Sequence, residues 1–204
     1  MVESSEPRWL VLDGYEDEPA AFGVPPYVGF HIRYVCGVLE SAGLDYEYMT
    51  VDRYRQALKT NPESIAGRLK DCLGVVCIAG AVVPGKYLRG TPISLKETQT
   101  LIRSLPHGTP ALFGGWAIRG WKQQGWTPLR PNLFLAVQDT DATLAYFLQK
   151  GEWKHQRRTA EQWTSWAQAG AASKAVTDHP DLGSETQAGP LTYEVEVYQG
   201  CVRY

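Results

Sequence analysis

The stretch Leu73–Gly80 reads LGVVCIAG, and it is the strongest central-strand signal in the chain. A short apolar run that ends on glycine is typical of a parallel strand buried on both faces. Comparable runs occur on either side of it: WLVLDG at 9–14, DYEYMTVD at 45–52, PALFGG at 110–115 and NLFLAVQD at 132–139. The sequence therefore predicts five strands, and the alternating pattern of 45–52 indicates a strand near an edge of the sheet.

Helical patterns occupy the intervals between these runs. An apolar stripe at helical spacing predicts a helix over 27–43, and 53–71 is helical with a restart at Asn61-Pro62. Ser94 and Glu97 have the spacing of a capping box, and the 141–151 helix ends on Gly151. Strands separated by helices imply a parallel sheet with right-handed crossovers. We therefore predict a Rossmann-like or flavodoxin-like α/β domain over residues 1–151, with helices on both faces of the sheet.

The character of the chain changes after Gly151. The segment 157–176 predicts a solitary helix, with Thr159 and Gln162 as its capping box. Turn-forming residues dominate 178–190, so we interpret 152–190 as a helix followed by a linker. An alternating strand begins at Leu191, and the few residues after it do not contain a second strand to pair with it. Residues 191–204 are therefore predicted to be the first strand of a truncated second domain.

Composition limits the possible functions. The 204 residues carry 20 Lys and Arg against 22 Asp and Glu, a net charge of −2, which argues against a broad basic face for nucleic acid. No apolar run approaches the length of a membrane span, and the first residues lack the profile of a signal peptide. We therefore expect a cytoplasmic protein with no nucleic-acid or membrane partner.

Ligands of parallel sheets bind beyond the carboxyl ends of the strands, so the glycines at those ends are candidate binding residues. They are Gly80, Gly85, Gly114 and Gly115, together with Lys86. The spacing from Gly80 to Lys86 is that of a phosphate-binding loop, but Tyr87 replaces the hydroxyl residue that binds Mg²⁺. The loop fits a nucleotide, another anionic or amide-rich ligand, or a turn that needs glycine for its geometry alone.

Other polar and aromatic residues allow less specific interpretations. The acidic turn that begins at Asp13 is predicted to be solvated rather than metal-binding, and His31 is predicted to be a structural helix residue. Tryptophans 116, 121 and 126 leave open a scaffold without a small ligand, in which they contact a protein partner. Three cysteines, at 36, 72 and 77, lie in apolar stretches and are predicted to be buried. Cys201 stands beside Arg203, which favours a thiolate and a role as metal or cluster ligand.

The order of several segments resembles that of a known family. GVPPYVGFHIRYVCGVLESAGLDYEYMTVD (23–52), VVCIAG (75–80) and ALFGG (111–115) resemble the N-terminal cobalamin-binding-like domain of many radical SAM proteins. The final YEVEVYQGCVRY is similar to the opening strand of the radical SAM barrel, where Gly-Cys introduces the first cluster cysteine. AGAVVPGKYLRGTPIS and RRTAEQW further resemble an uncharacterised, largely archaeal group of these proteins.

The resemblance implies a function that this chain would share with a longer protein. In the full-length enzyme, three cysteines would hold a [4Fe–4S] cluster that cleaves S-adenosylmethionine reductively, and Cys201 would be the first of them. The N-terminal domain would bind cobalamin or position a small-molecule substrate for the C-terminal radical SAM domain in cis, and the fragment alone would not be catalytic. The histidine signature D-x-H-x-x-G is replaced by DGYEDEP at 13–19. The alternative functions are a stand-alone nucleotide-binding module that uses Gly80–Lys86, or the ligand-free scaffold.

Overall fold

The computed structural model describes residues 7–15, 27–80, 91–127, 130–177 and 192–193. Five parallel strands form the main sheet in the order β3-β1-β4-β5-β6. The strands are β1 (Trp9–Gly14), β2 (Tyr27–Val28), β3 (Tyr46–Thr50), β4 (Gly74–Ala79), β5 (Ala111–Gly114), β6 (Leu133–Leu135) and β7 (Thr192–Tyr193), of which β2 and β7 form a separate pair. Numbered along the chain without β2, the main sheet has the order 2-1-3-4-5, which is the flavodoxin-like arrangement. The predicted fold class is confirmed.

Helices cover both faces of this sheet. They are α1 (Phe30–Ser41), α2 (Val51–Thr60), α3 (Pro62–Asp71), α4 (Leu95–Ser104), α5 (Ala117–Gln123), α6 (Thr140–Lys150), α7 (Ala160–Ala171) and α8 (Lys174–Thr177). Successive strand residues point to opposite faces, so Leu10 and Leu12 pack with α2 to α5, while Trp9 and Val11 pack with α1, α6, α7 and α8. The domain therefore has three layers and two apolar clusters.

The central strand explains why its sequence signal is so clear. β4 lies third of five strands, and every residue from Val75 to Ala79 has no exposed surface. A strand covered on both faces needs apolar residues at every position, so it shows no alternation. The edge position predicted for 45–52 is also confirmed, because β3 is the first strand of the sheet.

The predicted caps are present. The Ser94 hydroxyl accepts a hydrogen bond from the Glu97 backbone N–H, and the Glu97 carboxylate accepts one from the Ser94 N–H. Thr159 and Gln162 form the same reciprocal pair at the start of α7. Gly151 ends α6 with a φ of 73°, a left-handed conformation that glycine adopts without steric cost. Local spacing was therefore sufficient to locate these helix ends.

Several elements differ from the sequence-based expectations. Residues 27–28 form β2 rather than the first turn of the predicted helix, and β6 stops at Leu135, short of the predicted 139. The segment 117–123, interpreted as part of a loop, is the helix α5. α5 has only seven residues, no side-chain N-cap and a central Gly120, so the sequence carries little helical signal there.

α7 is not the solitary helix that the sequence predicted. Trp166 is 7% exposed and belongs to the same apolar cluster as Val35 of α1 and Ala142 of α6. The two helices α1 and α7 meet at Gly37 and Gly170, where a Cβ on Gly37 would lie 3.0 Å from the Gly170 nitrogen. α7 is therefore an integral part of the layer that covers one face of the sheet.

The strand predicted to begin at residue 191 is described only over β7. β7 pairs in parallel with β2, in the register Tyr27↔Thr192 and Val28↔Tyr193. The partner of this strand therefore precedes it in the chain by more than 160 residues, as the paired numbers show. The linker predicted at 178–190 and residues 194–204 lie outside the described residues. In the ranges that the structure does describe, no helix has the length and apolar character of a membrane span.

Candidate functional site

The strand order places a topological switch point between the carboxyl ends of β1 and β4. The chain leaves β1 towards β3 on one side and leaves β4 towards β5 on the other, so the crossovers diverge between these two strands. Such a switch point is where open parallel sheets bind their ligands. Asp13 and Gly14 of β1 lie there opposite Ile78 and Ala79 of β4.

Asp13 is a buried carboxylate at this switch point. It is 6% exposed, and it accepts hydrogen bonds from the Tyr15 backbone N–H at 2.9 Å and from the Tyr48 hydroxyl at 2.8 Å. Burial, and then the charge of Asp13, raise the pKa of Tyr48 well above its ordinary value, so the phenol stays protonated and remains a donor. The prediction that this acidic turn is solvated is therefore wrong for Asp13. Glu16 and its acidic neighbours lie outside the described residues.

An ion-pair network centred on Arg55, on the face of the sheet that α2 and α4 cover, connects the segments that flank the switch point. The Tyr15 hydroxyl donates to Asp52 at 3.2 Å, and Arg55 donates to Asp52 at 2.9 Å. Arg55 also makes a bidentate pair with Glu97, at 2.7 and 3.0 Å, and donates to the carbonyl oxygens of Thr91 and Pro92. Arg55 therefore holds residues 91–92 next to the segments that follow β1 and β3.

Glu97→Gln is expected to lower the free energy of unfolding by about 1–2 kcal/mol at pH 7, a value reduced for the partial exposure of the pair. The pair with Arg55 lowers the pKa of Glu97 from 4.5 to about 2, so its contribution is complete above pH 4.5 and is lost as the pH falls towards 2. The measurement is urea unfolding of both proteins between pH 7 and pH 2. Glu63→Gln, at an exposed carboxylate in the first turn of α3, is the control. A difference between wild type and Glu97→Gln that did not shrink with acid would contradict the assignment.

The predicted binding glycines come together only in part. Gly114 pairs with Ile78 across the sheet, and a Cβ on Gly115 would lie 2.5 Å from the Ala79 carbonyl oxygen, so both adjoin the strand that ends before Gly80. Thr140 fills the space beside Gly114, because a Cβ added to Gly114 would lie 2.8 Å from the Cβ of Thr140. Gly115 has a φ of 93°, a conformation that favours glycine. Packing and backbone conformation therefore explain these two glycines. Gly85 and Lys86 lie outside the described residues, so the phosphate-binding loop stays a prediction.

A second buried ion cluster lies where α6 begins. Arg158 donates to Asp141 at 3.0 Å and lies 3.9 Å from Asp139, and its side chain is 8% exposed. The Arg158 guanidinium also lies over the Tyr34 ring, 4.5 Å from its centroid. Burial raises the pKa of Asp141, and the charge of Arg158 opposes that shift. The cluster fixes the segment before α7 onto α1 and α6, and nothing in the local sequence pattern signalled it.

The three tryptophans of the scaffold hypothesis have different environments. Trp121 is 9% exposed and lies edge-on to the partly buried Trp126, with ring centroids 5.6 Å apart, so both belong to the core. Trp116 is 57% exposed and contacts the ring of His31, in the first turn of α1, at 5.9 Å. Trp116 is therefore the most exposed of the three, Trp126 is partly exposed and Trp121 is buried, so the partner surface stays a prediction that Trp116 can best serve.

The described cysteines do not form a metal site. Cys36 and Cys77 have no exposed surface and lie in the apolar clusters on opposite faces of the sheet. Burial raises the pKa of both thiols far above their ordinary value, and it raises the pKa of Cys72 to about 11. Among the residues that the structure describes, no group of three His, Cys, Asp or Glu side chains could hold a metal ion. Cys201 lies outside them.

Two cavities lie near these elements. A groove of about 580 Å³ runs between α1, α6 and the start of α7, with Ala142, Ala145 and Trp166 in its walls. A smaller pocket of about 230 Å³ follows β6 and is lined by Val137, Gln138 and residues 155–157. Sites for drug-sized ligands occupy roughly 300–1,000 Å³, so the volume of the groove falls within this range and that of the smaller pocket falls below it.

Comparison with known proteins adds relatives but no activity. No family model matches the chain. It is 31% identical to an uncharacterised protein of Methanocaldococcus jannaschii over 96% of this chain and 35% of that protein. It is 33% identical to an uncharacterised protein of Archaeoglobus fulgidus over 94% of this chain and 32% of that protein. The chain spans about a third of these relatives.

Among solved structures, a diflavin flavoprotein from Nostoc sp. aligns with 86% of this chain and 99% of its own, with 9% identity and a TM-score of 0.37. The fold assignment given above rests on the strand order of this chain rather than on that likeness.

Proposed function

We propose that this chain is the N-terminal accessory domain of a longer radical SAM enzyme and that it positions a small-molecule substrate for a C-terminal catalytic domain in cis. The observation that carries the proposal is the flavodoxin-like sheet, whose switch point offers a binding edge between β1 and β4. The order of the sequence segments and the final YEVEVYQGC motif support the same assignment.

The length of the relatives also supports a multidomain protein. Almost all of this chain aligns with each of the two archaeal proteins, and about two-thirds of each relative lies outside the aligned part. Domains usually have about 50–250 residues, so two-thirds of such a relative is long enough for at least one further domain. That remainder is where the proposal locates the catalytic domain.

The described residues give little support to cobalamin binding. The His31 ring, which is in α1, packs against Phe30 with ring centroids 4.1 Å apart and against Trp116. Thr140 and Ala79 fill the spaces that Gly114 and Gly115 would otherwise open to a ligand. The proposal therefore takes substrate positioning, and not cobalamin chemistry, as the role of the domain.

Cys201 is the cluster ligand of the proposal, because the resemblance of YEVEVYQGCVRY to the opening strand of the radical SAM barrel implies it. The cysteines at 36 and 77 are buried on opposite faces of the sheet. A [4Fe–4S] cluster bound by three cysteines supplies the electron that cleaves S-adenosylmethionine. The described cysteines are free thiols, which a reducing compartment maintains, and this favours the cytoplasm.

The test is anaerobic reconstitution of the natural full-length polypeptide with iron and sulfide. We expect the visible absorption of a [4Fe–4S] cluster and, after reduction with dithionite, its electron paramagnetic resonance signal, both lost in Cys201→Ala and both retained in Cys72→Ala. A polypeptide that binds no cluster, or a cluster indifferent to Cys201→Ala, would contradict the proposal. Titration of the 1–204 chain with hydroxocobalamin is expected to give no saturable change in absorption. Saturable binding would instead support cobalamin binding as the function of the domain.

A further inference from the structure

We infer that the surface around Trp116 and His31, beside the β2–β7 pair, is the docking surface for the polypeptide that follows β7 in the longer protein. This inference rests on the proposed function, since it requires a domain in cis. Beyond the proposed function, it identifies which part of the accessory domain this polypeptide contacts, and it assigns a role to the exposed Trp116.

The first observation is the position of β7. β7 pairs with β2, and β2 leads through Gly29 directly into α1, with Phe30 as the first residue of the helix. Because the pairing is parallel, the chain leaving Tyr193 starts out in the same direction as the chain leaving Val28. Tyr193 therefore lies beside the segment that enters the first turn of α1, and the proposal places the following polypeptide there.

The second observation is an exposed aromatic side chain at the same place. Trp116 is 57% exposed, the largest exposure among the large hydrophobic side chains of the described residues. It contacts the ring of His31, and His31 follows Val28 by only three positions. Tryptophan is enriched at protein interfaces and supplies a large share of their binding energy.

The third observation concerns the length of the relatives, and we take their unaligned part to be the polypeptide that follows β7. The relatives contain about twice as much polypeptide outside the aligned part as within it, and each aligned part covers nearly all of this chain. A segment tethered next to Trp116 has a high effective concentration there, so an interface of modest area suffices. A polypeptide in cis is therefore favoured over a separate partner or a second copy of the chain.

The test is oxidation of tryptophan by hydroxyl radicals, quantified by mass spectrometry, in the natural full-length polypeptide and in the 1–204 chain. We expect the oxidation rate of Trp116 to fall at least about fivefold in the full-length polypeptide, because the core of an interface excludes water from the side chains buried in it. Trp163, 39% exposed on α7, is the internal control and should oxidise at the same rate in both. Equal rates for Trp116 in the two proteins, or equal protection of Trp163, would overturn the inference.

A pair of variants separates docking from folding. Trp116→Ser in the full-length polypeptide is expected to leave urea unfolding of the 1–204 unit unchanged while increasing the radius of gyration in small-angle X-ray scattering. Leu73→Ser, at a 45% exposed side chain beside the opposite edge of the sheet, should change neither. Concentration-dependent protection of Trp116 in the 1–204 chain would instead assign the surface to a second copy. A polypeptide without a cluster but with Trp116 protected would refute the proposed function and leave the docking surface standing.

Discussion

Arg158→Met is expected to lower the free energy of unfolding by about 3–5 kcal/mol at pH 8, the usual cost of removing one partner from a buried ion pair. The side chains of Arg158, Asp139 and Asp141 are 8%, 3% and 4% exposed, so without the guanidinium the two carboxylates lose most of their compensating charge inside the protein. Methionine preserves much of the packing against Tyr34, which isolates the loss of charge.

The pH dependence of this loss has a definite sign. Burial raises the pKa of Asp141 in the folded state above 3.8, the ordinary value that it has in the unfolded chain. In the pH range between these two pKa values the folded state binds more protons than the unfolded chain. Stability therefore falls as the pH rises through this range. Removing Arg158 takes away the positive charge that opposes this shift, so the pKa of Asp141 rises further and the range in which stability falls extends to higher pH. The destabilisation by Arg158→Met should therefore be smaller at pH 4 than at pH 8, as urea unfolding at the two pH values will measure.

Arg157 provides the matched control. It neighbours Arg158 in the chain and lies 3.5 Å from Asp139, but its side chain is 68% exposed. A pair so open to solvent contributes at most about 1 kcal/mol, and Arg157→Met is expected to stay within that limit at both pH values. Similar losses for the two variants would mean that the buried cluster has no special role.

Gly170→Ala is expected to lower the free energy of unfolding by about 3 kcal/mol, towards the upper end of the range for overpacked cores. A Cβ there would overlap the Arg33 carbonyl oxygen and lie 2.7 Å from the carbonyl carbon. Gly37→Ala would meet the Trp166 carbonyl in the same way, with the carbon 2.8 Å away. Both obstacles are backbone atoms within helices, so relief requires α7 to move away from α1.

Gly67→Ala is the control for this prediction. Gly67 is in α3, and nothing lies within 4 Å of the position of its Cβ. Alanine is the better helix former by about 0.8–1 kcal/mol, so this variant should be more stable than wild type in urea unfolding. A Gly170→Ala protein as stable as wild type would show that the two helices are not in close contact.

Local sequence determined the regular elements of this protein and the edge at which a site would form. The strand β4 is identifiable because burial on both faces requires apolar residues without interruption. The capping box of α4 is identifiable because its two residues are three positions apart. Because the strands are parallel, the ends of β4 and β5 lie at the same edge of the sheet, where Gly114 at the end of β5 pairs with Ile78 near the end of β4.

Tertiary structure alone decided what surrounds that edge. Arg158 meets carboxylates seventeen and nineteen positions earlier in the chain, and Gly37 meets a helix that begins more than 120 residues later, as the residue numbers show. β2 and β7 are two-residue strands that exist only because they pair with each other. Such contacts depend on the approach of segments that are distant in sequence, and periodicity within one segment carries no information about its partner. The sequence therefore determined the layers, and the packing between them determined which polar groups are buried, which glycines are required and which tryptophan remains exposed.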